Sequence, residues 1–154
     1  NRAYVKNNGF WGIVDKSGKY IVKNRWKNIL YETFSGTDHL WVQSPSTDKW
    51  QCLQVSTDQI CINDEFDGAG AFDSSGRALV MKDKLIGAID TEGNTILPIR
   101  FNSTKIANAA LNFIDQIKQK SMSEFDAYRF NIYNNDERHK HHLHQTIADN
   151  MWDF

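Results

Sequence analysis

Four histidines crowd into six positions near the C-terminus: His139, His141, His142 and His144. Neutral imidazole binds zinc or nickel well and trades protons near pH 7, so this cluster is where metal or acid–base chemistry would be sought. Spacing limits what the four can do together. On a helix His141 and His144 lie about 60° apart, while His139 and His142 form a second pair on another side. No two have the i, i+4 interval that sets paired histidines on one metal in a metalloprotease helix. Four such side chains on one helix cannot converge on one ion. The expectation is therefore no metal site, with His141 and His144 the remaining candidate ligands. A solvated face or a pH-sensitive contact surface suits the cluster better, and His139 and His142 become candidate partner contacts.

Other reactive types are scattered. No Gly-x-Ser-x-Gly elbow is present, and neither Cys52 nor Cys61 has a histidine beside it in sequence. Gly68-Ala69-Gly70-Ala71 lacks the Lys-Ser/Thr ending of a phosphate loop and reads as a connection. Asp15 and Asp90 fall in turn patterns, where a carboxylate ordinarily accepts backbone N–H groups. Glu65-Phe66-Asp67 reads as a charged linker. Two cysteines are too few for a disulfide scaffold or a four-sulfur zinc site. They are expected as buried free thiols, although a hairpin turning at Ser56-Thr57-Asp58 could set them opposite each other and allow a bridge. No catalytic residue and no cofactor emerges, and the expectation is a protein that is not an enzyme.

Bulk composition narrows the partners. The 154 residues carry 18 Lys+Arg against 19 Asp+Glu, a formal charge of −1. A reader of nucleic acid needs a basic excess that this chain does not have, so no nucleic acid is expected. No apolar run approaches the roughly 20 residues of a membrane helix, and no membrane partner is expected. Hydrophobic residues make up 40% and aromatics 12%, enough bulk to build a core.

That core must come from a repeat. Displaced by 75 positions, residues 2–27 fall on 77–102 without a gap. Arg2, Ala3, Val5, Gly12, Asp15, Gly18, Ile21 and Arg25 meet Arg77, Ala78, Val80, Gly87, Asp90, Gly93, Ile96 and Arg100. Trp11 meets Ile86 and Trp26 meets Phe101, which marks both tryptophans as packed. A third, more worn copy lies between them. Phe34, Trp41 and Val42 fall on Phe72, Leu79 and Val80, and Trp50 takes the place of Trp11 after an insertion around Pro45. Within one copy, Arg2–Lys6, Phe10–Asp15 and Lys19–Val22 are strand patterns separated by turns at Asn8-Gly9 and Asp15–Gly18. Each copy is thus a small antiparallel meander, unable to bury a face alone, so neighbouring copies must share an interior.

The stretches Trp11–Val22 and Ile86–Pro98 resemble the WG (or KWG) repeat of mainly bacterial proteins, and Phe72–Val80 resembles the lead-in of that family. The resemblance covers about residues 2–104 and is poor in the middle copy. Ile86 stands where the signature Trp would be, and Trp50 is followed by Gln51 rather than Gly. The family implies a β-rich repeat structure and a binding role, and it supplies no catalytic residues. The first copy lacks the lead-in of the others, from which further repeats are expected before Asn1.

After Thr104 the period changes to that of a helix. Ile106, Ala110, Phe113, Ile114 and Ile117 share one face, with Ser103 or Thr104 as N-cap. Ser121 and Glu124 form a capping-box pattern that predicts a second helix, ended by Asn134-Asn135-Asp136, and a third runs from Glu137 towards Trp152. The predicted fold is α+β: antiparallel β-meander repeats at about 2–30, 34–68 and 72–104, together residues 1–104, followed by a helical C-terminal segment, 105–154. Its expected task is non-enzymatic protein–protein interaction, recognising or neutralising another bacterial protein, with Trp152 and Tyr31 as further candidate contacts. The rival expectation is a His-dependent enzyme or toxin activity in the helical segment, with the repeats as its scaffold.

Overall fold

A computed structural model of the chain describes residues 2–30 and 38–133. Among these are three antiparallel sheets followed by one helix. The first sheet is a meander of β1 (Arg2–Asn7), β2 (Phe10–Asp15) and β3 (Tyr20–Trp26). The second holds β4 (Asn28–Ile29), β5 (His39–Gln43), β6 (Trp50–Gln54) and β7 (Gln59–Ile60). The third holds β8 (Gly68–Ala69), β9 (Arg77–Lys82), β10 (Leu85–Asp90) and β11 (Thr95–Phe101).

The first and third sheets share one register. Trp11 pairs with Trp26, Ile13 with Val22 and Val14 with Tyr20. In the third sheet Ile86 pairs with Phe101, Ala88 with Leu97 and Ile89 with Thr95, and the register shifts fall at the same places. The bulge has a direct cause in the glycine of each copy. A Cβ on Gly12 would lie 2.7 Å from the Val22 carbonyl oxygen, and one on Gly87 would lie 2.6 Å from that of Leu97. Only a residue without a side chain lets the third strand cross so closely. The middle copy has Gln51 there and solves the problem differently. Its third strand ends at Ile60, and pairing resumes only at the single bridge between Trp50 and Phe66.

Turns repeat as faithfully. Asp15 accepts the N–H groups of Ser17 and Lys19 on Oδ1, and Asp90 accepts those of Glu92 and Asn94. The Ser17 hydroxyl and these N–H groups hold the Asp15 carboxyl below the usual carboxylate range. At Asp90 burial pushes upward, but the Asn94 side chain and the backbone N–H groups outweigh it. The hairpin turns also coincide, with Asn8 and Gly9 at φ 50 and 84 and their counterparts Asp83 and Lys84 at φ 52 and 68. Lys84 occupies a left-handed conformation that costs an L-residue about 1 kcal/mol or more. Lys84→Gly is therefore expected to raise stability by about 1 kcal/mol, read as a higher urea midpoint at unchanged slope.

Two interiors hold the sheets together. In the first, Ile13, Val22 and Trp26 of the first sheet pack with Ile29, Leu40, Val42, Leu53 and Val55 of the second segment. In the other, Trp41, Cys52, Ile62 and Phe66 pack with Phe72, Ala78, Val80 and Ile89. Strand β5 serves both, which is why Leu40, Trp41 and Val42 are all buried and the strand reads as an unbroken apolar run. Trp41 stacks on Phe72 with ring centroids 5.4 Å apart and meets Phe66 edge-on at 5.7 Å. Cys52 on β6 and Cys61 just after β7 are free thiols, their sulfurs 3.1 Å apart.

The chain divides into two compact units, Asn1–Ala107 and Asn108–Phe154. The helix, α1, runs unbroken from Thr104 to Tyr133. Ser103 caps its start, accepting the Ile106 N–H at 3.2 Å. The separate second helix expected from Ser121 and Glu124 does not exist. Nothing between Lys105 and Tyr133 is Gly or Pro, and Ser123 donates its hydroxyl back to the Lys120 carbonyl, so the helix absorbs its serines. The buried stripe overlaps the expected one only in part, with Ala110, Ile114 and Ile117 half-buried. Ala107 and Leu111 are buried, whereas Ile106 is 50% and Phe113 55% exposed.

Candidate functional site

Strand alternation gives each sheet two faces. Tyr4, Ile13 and Val22 lie on the face of the first sheet that meets the second, here called downstream. Their counterparts Trp41 and Cys52 lie on the face of the second sheet that meets the third. The opposite, upstream faces are formed by Leu40, Val42 and Leu53 in the second sheet and by Ala78, Val80 and Ile89 in the third. Downstream face thus meets upstream face at both junctions, and the stack has a direction.

All six of those upstream residues are at most 4% exposed. Their counterparts in the first sheet are Ala3, Val5 and Val14, of which Ala3 is exposed and Val5 and Val14 are half-buried. By register Tyr20 joins the row of Ala3 and Val14, and Phe10 lies beyond Val5 on the same face. Tyr20 is 40% and Phe10 39% exposed. The first sheet therefore presents an apolar, partly aromatic face at the position where the other two sheets bury theirs.

The edges repeat this difference. On β5 the Gln43 carbonyl accepts the Lys27 N–H and the Trp41 carbonyl accepts the Leu30 N–H, both at 2.9 Å. On β9 the Met81 carbonyl accepts the Asp67 N–H and the Leu79 carbonyl accepts the Gly70 N–H, both at 2.8 Å. Lys27–Leu30 and Asp67–Gly70 are thus equivalent lead segments, each following an aromatic, Trp26 or Phe66. Gly68 and Ala69 form a strand rather than the flexible connection expected of them. On β1 the corresponding edge runs past Lys6. Among the described residues β1 pairs with β2 alone.

Ion pairs tie the segments beside these edges. Arg25 grips Asp58 with two nitrogens at 2.8 and 2.9 Å and stacks over Trp26 at 4.9 Å. Lys49 pairs with Asp67 and, with the Asp83 N–H, holds that carboxyl below its usual range. At the other end of the stack, a pocket of about 280 Å³ is lined by Gly68, Ala69, Gly70, Leu79, Met81 and Ile86, with Val80 and Thr104 completing it. Ile86 stands where the first copy has the larger Trp11.

A family model described as a WG containing repeat matches residues 64–85. Residues 64–85 are a WG-type repeat. The match runs from just before Phe66 through the lead segment, β9 and its hairpin turn. The first sheet shares the register of the third, and the second shares its lead-segment hydrogen bonds. No curated protein and no solved structure matches the chain. Tyr31, His139, His141, His142, His144 and Trp152 lie outside the described residues. Among the described residues, no group of three His, Cys, Asp or Glu could hold a metal, and no helix is long and apolar enough to cross a membrane. The surface assembled above was only half visible in the sequence. The alternation of Arg2–Lys6 and Phe10–Asp15 shows the strands, but the two-residue strands that define the edge are too short to show a period.

Proposed function

We propose that this chain is a non-enzymatic protein-interaction module, and that it holds its partner on the upstream face and β1 edge of the first sheet. One observation carries the reading: Ala3, Val5 and Val14 stay accessible at positions that are buried in both following sheets. An exposed apolar face beside a strand edge suits docking by strand addition, in which main-chain bonds supply affinity and side chains supply selectivity. The partner is another protein, not a nucleic acid or a membrane.

Lys6→Pro tests this. Residue 6 faces away from β2, so proline there removes an outward N–H while leaving the bonds to β2, and an edge strand tolerates it. Affinity purification with the native chain, Lys6→Pro, and a chain with His139, His141, His142 and His144 all changed to Ala should show partners lost only from the proline variant. Partners kept by Lys6→Pro and lost with the histidines would overturn the reading and favour the helical segment.

A further inference from the structure

One cross-strand pair recurs in all three sheets. It is Ile13 with Val22 in the first and Ala88 with Leu97 in the third, each residue at most 4% exposed. With Trp50 in the place of Trp11, Cys52 stands where Ile13 does. The ladder through Gln54–Gln59 and Leu53–Ile60 then sets Cys61 opposite it. The Cys61 N–H donates to the Cys52 carbonyl at 2.9 Å, which fixes that opposition. A pair that is purely apolar in two sheets is therefore a pair of thiols in the second. Ordinary packing accounts for Cys52, buried among Trp41, Phe66 and Phe72. It does not account for Cys61, which is half-buried where Val22 and Leu97 are sealed.

We infer that Cys61 and Cys52 are a thiol–disulfide exchange site that reacts with small disulfides such as oxidised glutathione. Their sulfurs lie 3.1 Å apart. Opposed residues of antiparallel strands keep their Cα atoms about 4.5–5.5 Å apart, inside the range that a disulfide spans. Side-chain shifts of about 1 Å thus close the bond with the strands in place. Exposure sets the order of events. Cys61 loses its proton to solvent, and its thiolate attacks one sulfur of the reagent. The reagent's S–S bond breaks, and one half leaves as a thiolate that takes up a proton. Cys52 then gives up its proton and attacks the Cys61 sulfur of the mixed disulfide, expelling the second half. In balance, the two protein thiols lose two electrons and the reagent becomes two thiols.

The bridge falls where the sheets have least pairing of their own. β7 has 2 residues, against 7 in each of β3 and β11. Its turn nevertheless carries Asp58, which holds Arg25 and accepts the Lys23 N–H of β3. The same turn carries Ser56, whose N–H goes to Asp38. Joining Cys52 to Cys61 pins the hairpin that ties the second sheet to the first. Neither sulfur lies on the proposed docking surface, so the outcome leaves that reading untouched.

The test treats the full chain with oxidised glutathione well below its melting temperature, followed by intact mass and peptide mapping. The native chain is expected to become lighter by two hydrogens through a Cys52–Cys61 bridge. It should then melt about 5 °C or more higher, and return to its starting state with dithiothreitol. Cys52→Ala should stop at one glutathione on Cys61, and Cys61→Ala should take up none. A native chain that keeps glutathione on Cys61, stays reduced, links to a second chain or is modified first at Cys52 would overturn the inference. If Cys52→Ala does not fold, the native chain decides alone. A bridge with the higher melting temperature supports the site, and a bridge without it would contradict closure in the folded sheet.

Discussion

Gly12→Ala and Gly87→Ala are each expected to destabilise the chain by about 3 kcal/mol or more, close to the whole stability of a small domain. The atoms in the way are main chain, joined at Gly87 by the Ile99 Cγ1 at 2.7 Å. Around Gly12 the added methyl would meet the Val22 oxygen at 2.7 Å, the Asn24 nitrogen at 2.8 Å and the Asn24 Cα at 2.9 Å. Around Gly87 it would meet the Leu97 oxygen at 2.6 Å and the Ile99 Cα at 2.8 Å. No rotamer change relieves such contacts. The third strand must move, and with it Val22 or Leu97, which are at most 4% exposed. Gly70→Ala is the control, because its nearest neighbour would be 3.7 Å away, an ordinary contact. Urea unfolding should leave the control within about 0.5 kcal/mol of the parent. Equal, small losses at all three glycines would show that the close crossing is not there.

Trp41→Ala should cost about 4 kcal/mol. This side chain is fully buried, stacked on Phe72 at an interplanar angle of 7° and edge-on to Phe66 at 87°. Its removal opens a large cavity between the second and third sheets, and stacked aromatic contact is lost in addition to burial. Trp41→Phe separates the two contributions. The indole Nε1 finds no hydrogen-bond acceptor among the described residues, so the smaller ring loses volume but also removes an orphaned donor. Phe is expected to cost less than half as much as Ala, measured by thermal unfolding followed by circular dichroism. A loss at Phe equal to that at Ala would mean that the indole donor is satisfied after all.

Where sequence reading succeeded, the cause was local and steric. Asp15 with Gly18 and Asp90 with Gly93 specify a turn through their own hydrogen bonds and dihedrals, so their recurrence marks the copies directly. Gly12 and Gly87 mark the copies as well, although the backbone crossing that requires them is visible only in the structure. The middle copy is harder to see because Gln51 took the place of that glycine and its third strand was rebuilt around the change. The lead strands Asn28–Ile29 and Gly68–Ala69 were missed for a different reason: pairing two residues long leaves no alternation, and what fixes them is the carbonyl spacing on β5 and β9. Ser121 and Glu124 look like a start signal and would divide helix α1 in two, but a serine inside a helix can satisfy its hydroxyl on a preceding carbonyl, as Ser123 does. The direction of the stack, and hence which face each sheet buries, depends on which sheet covers which face. That is a tertiary relation with no residue pattern of its own.

The most direct check on this account is the cross-strand register of residues 2–27 and 77–102, read by nuclear Overhauser contacts in the folded chain. Two matching sets are expected: Trp11 against Trp26, Ile13 against Val22 and Val14 against Tyr20, and then Ile86 against Phe101, Ala88 against Leu97 and Ile89 against Thr95. A different pairing in either segment, or a third strand that passes Gly12 or Gly87 without a bulge, would contradict it.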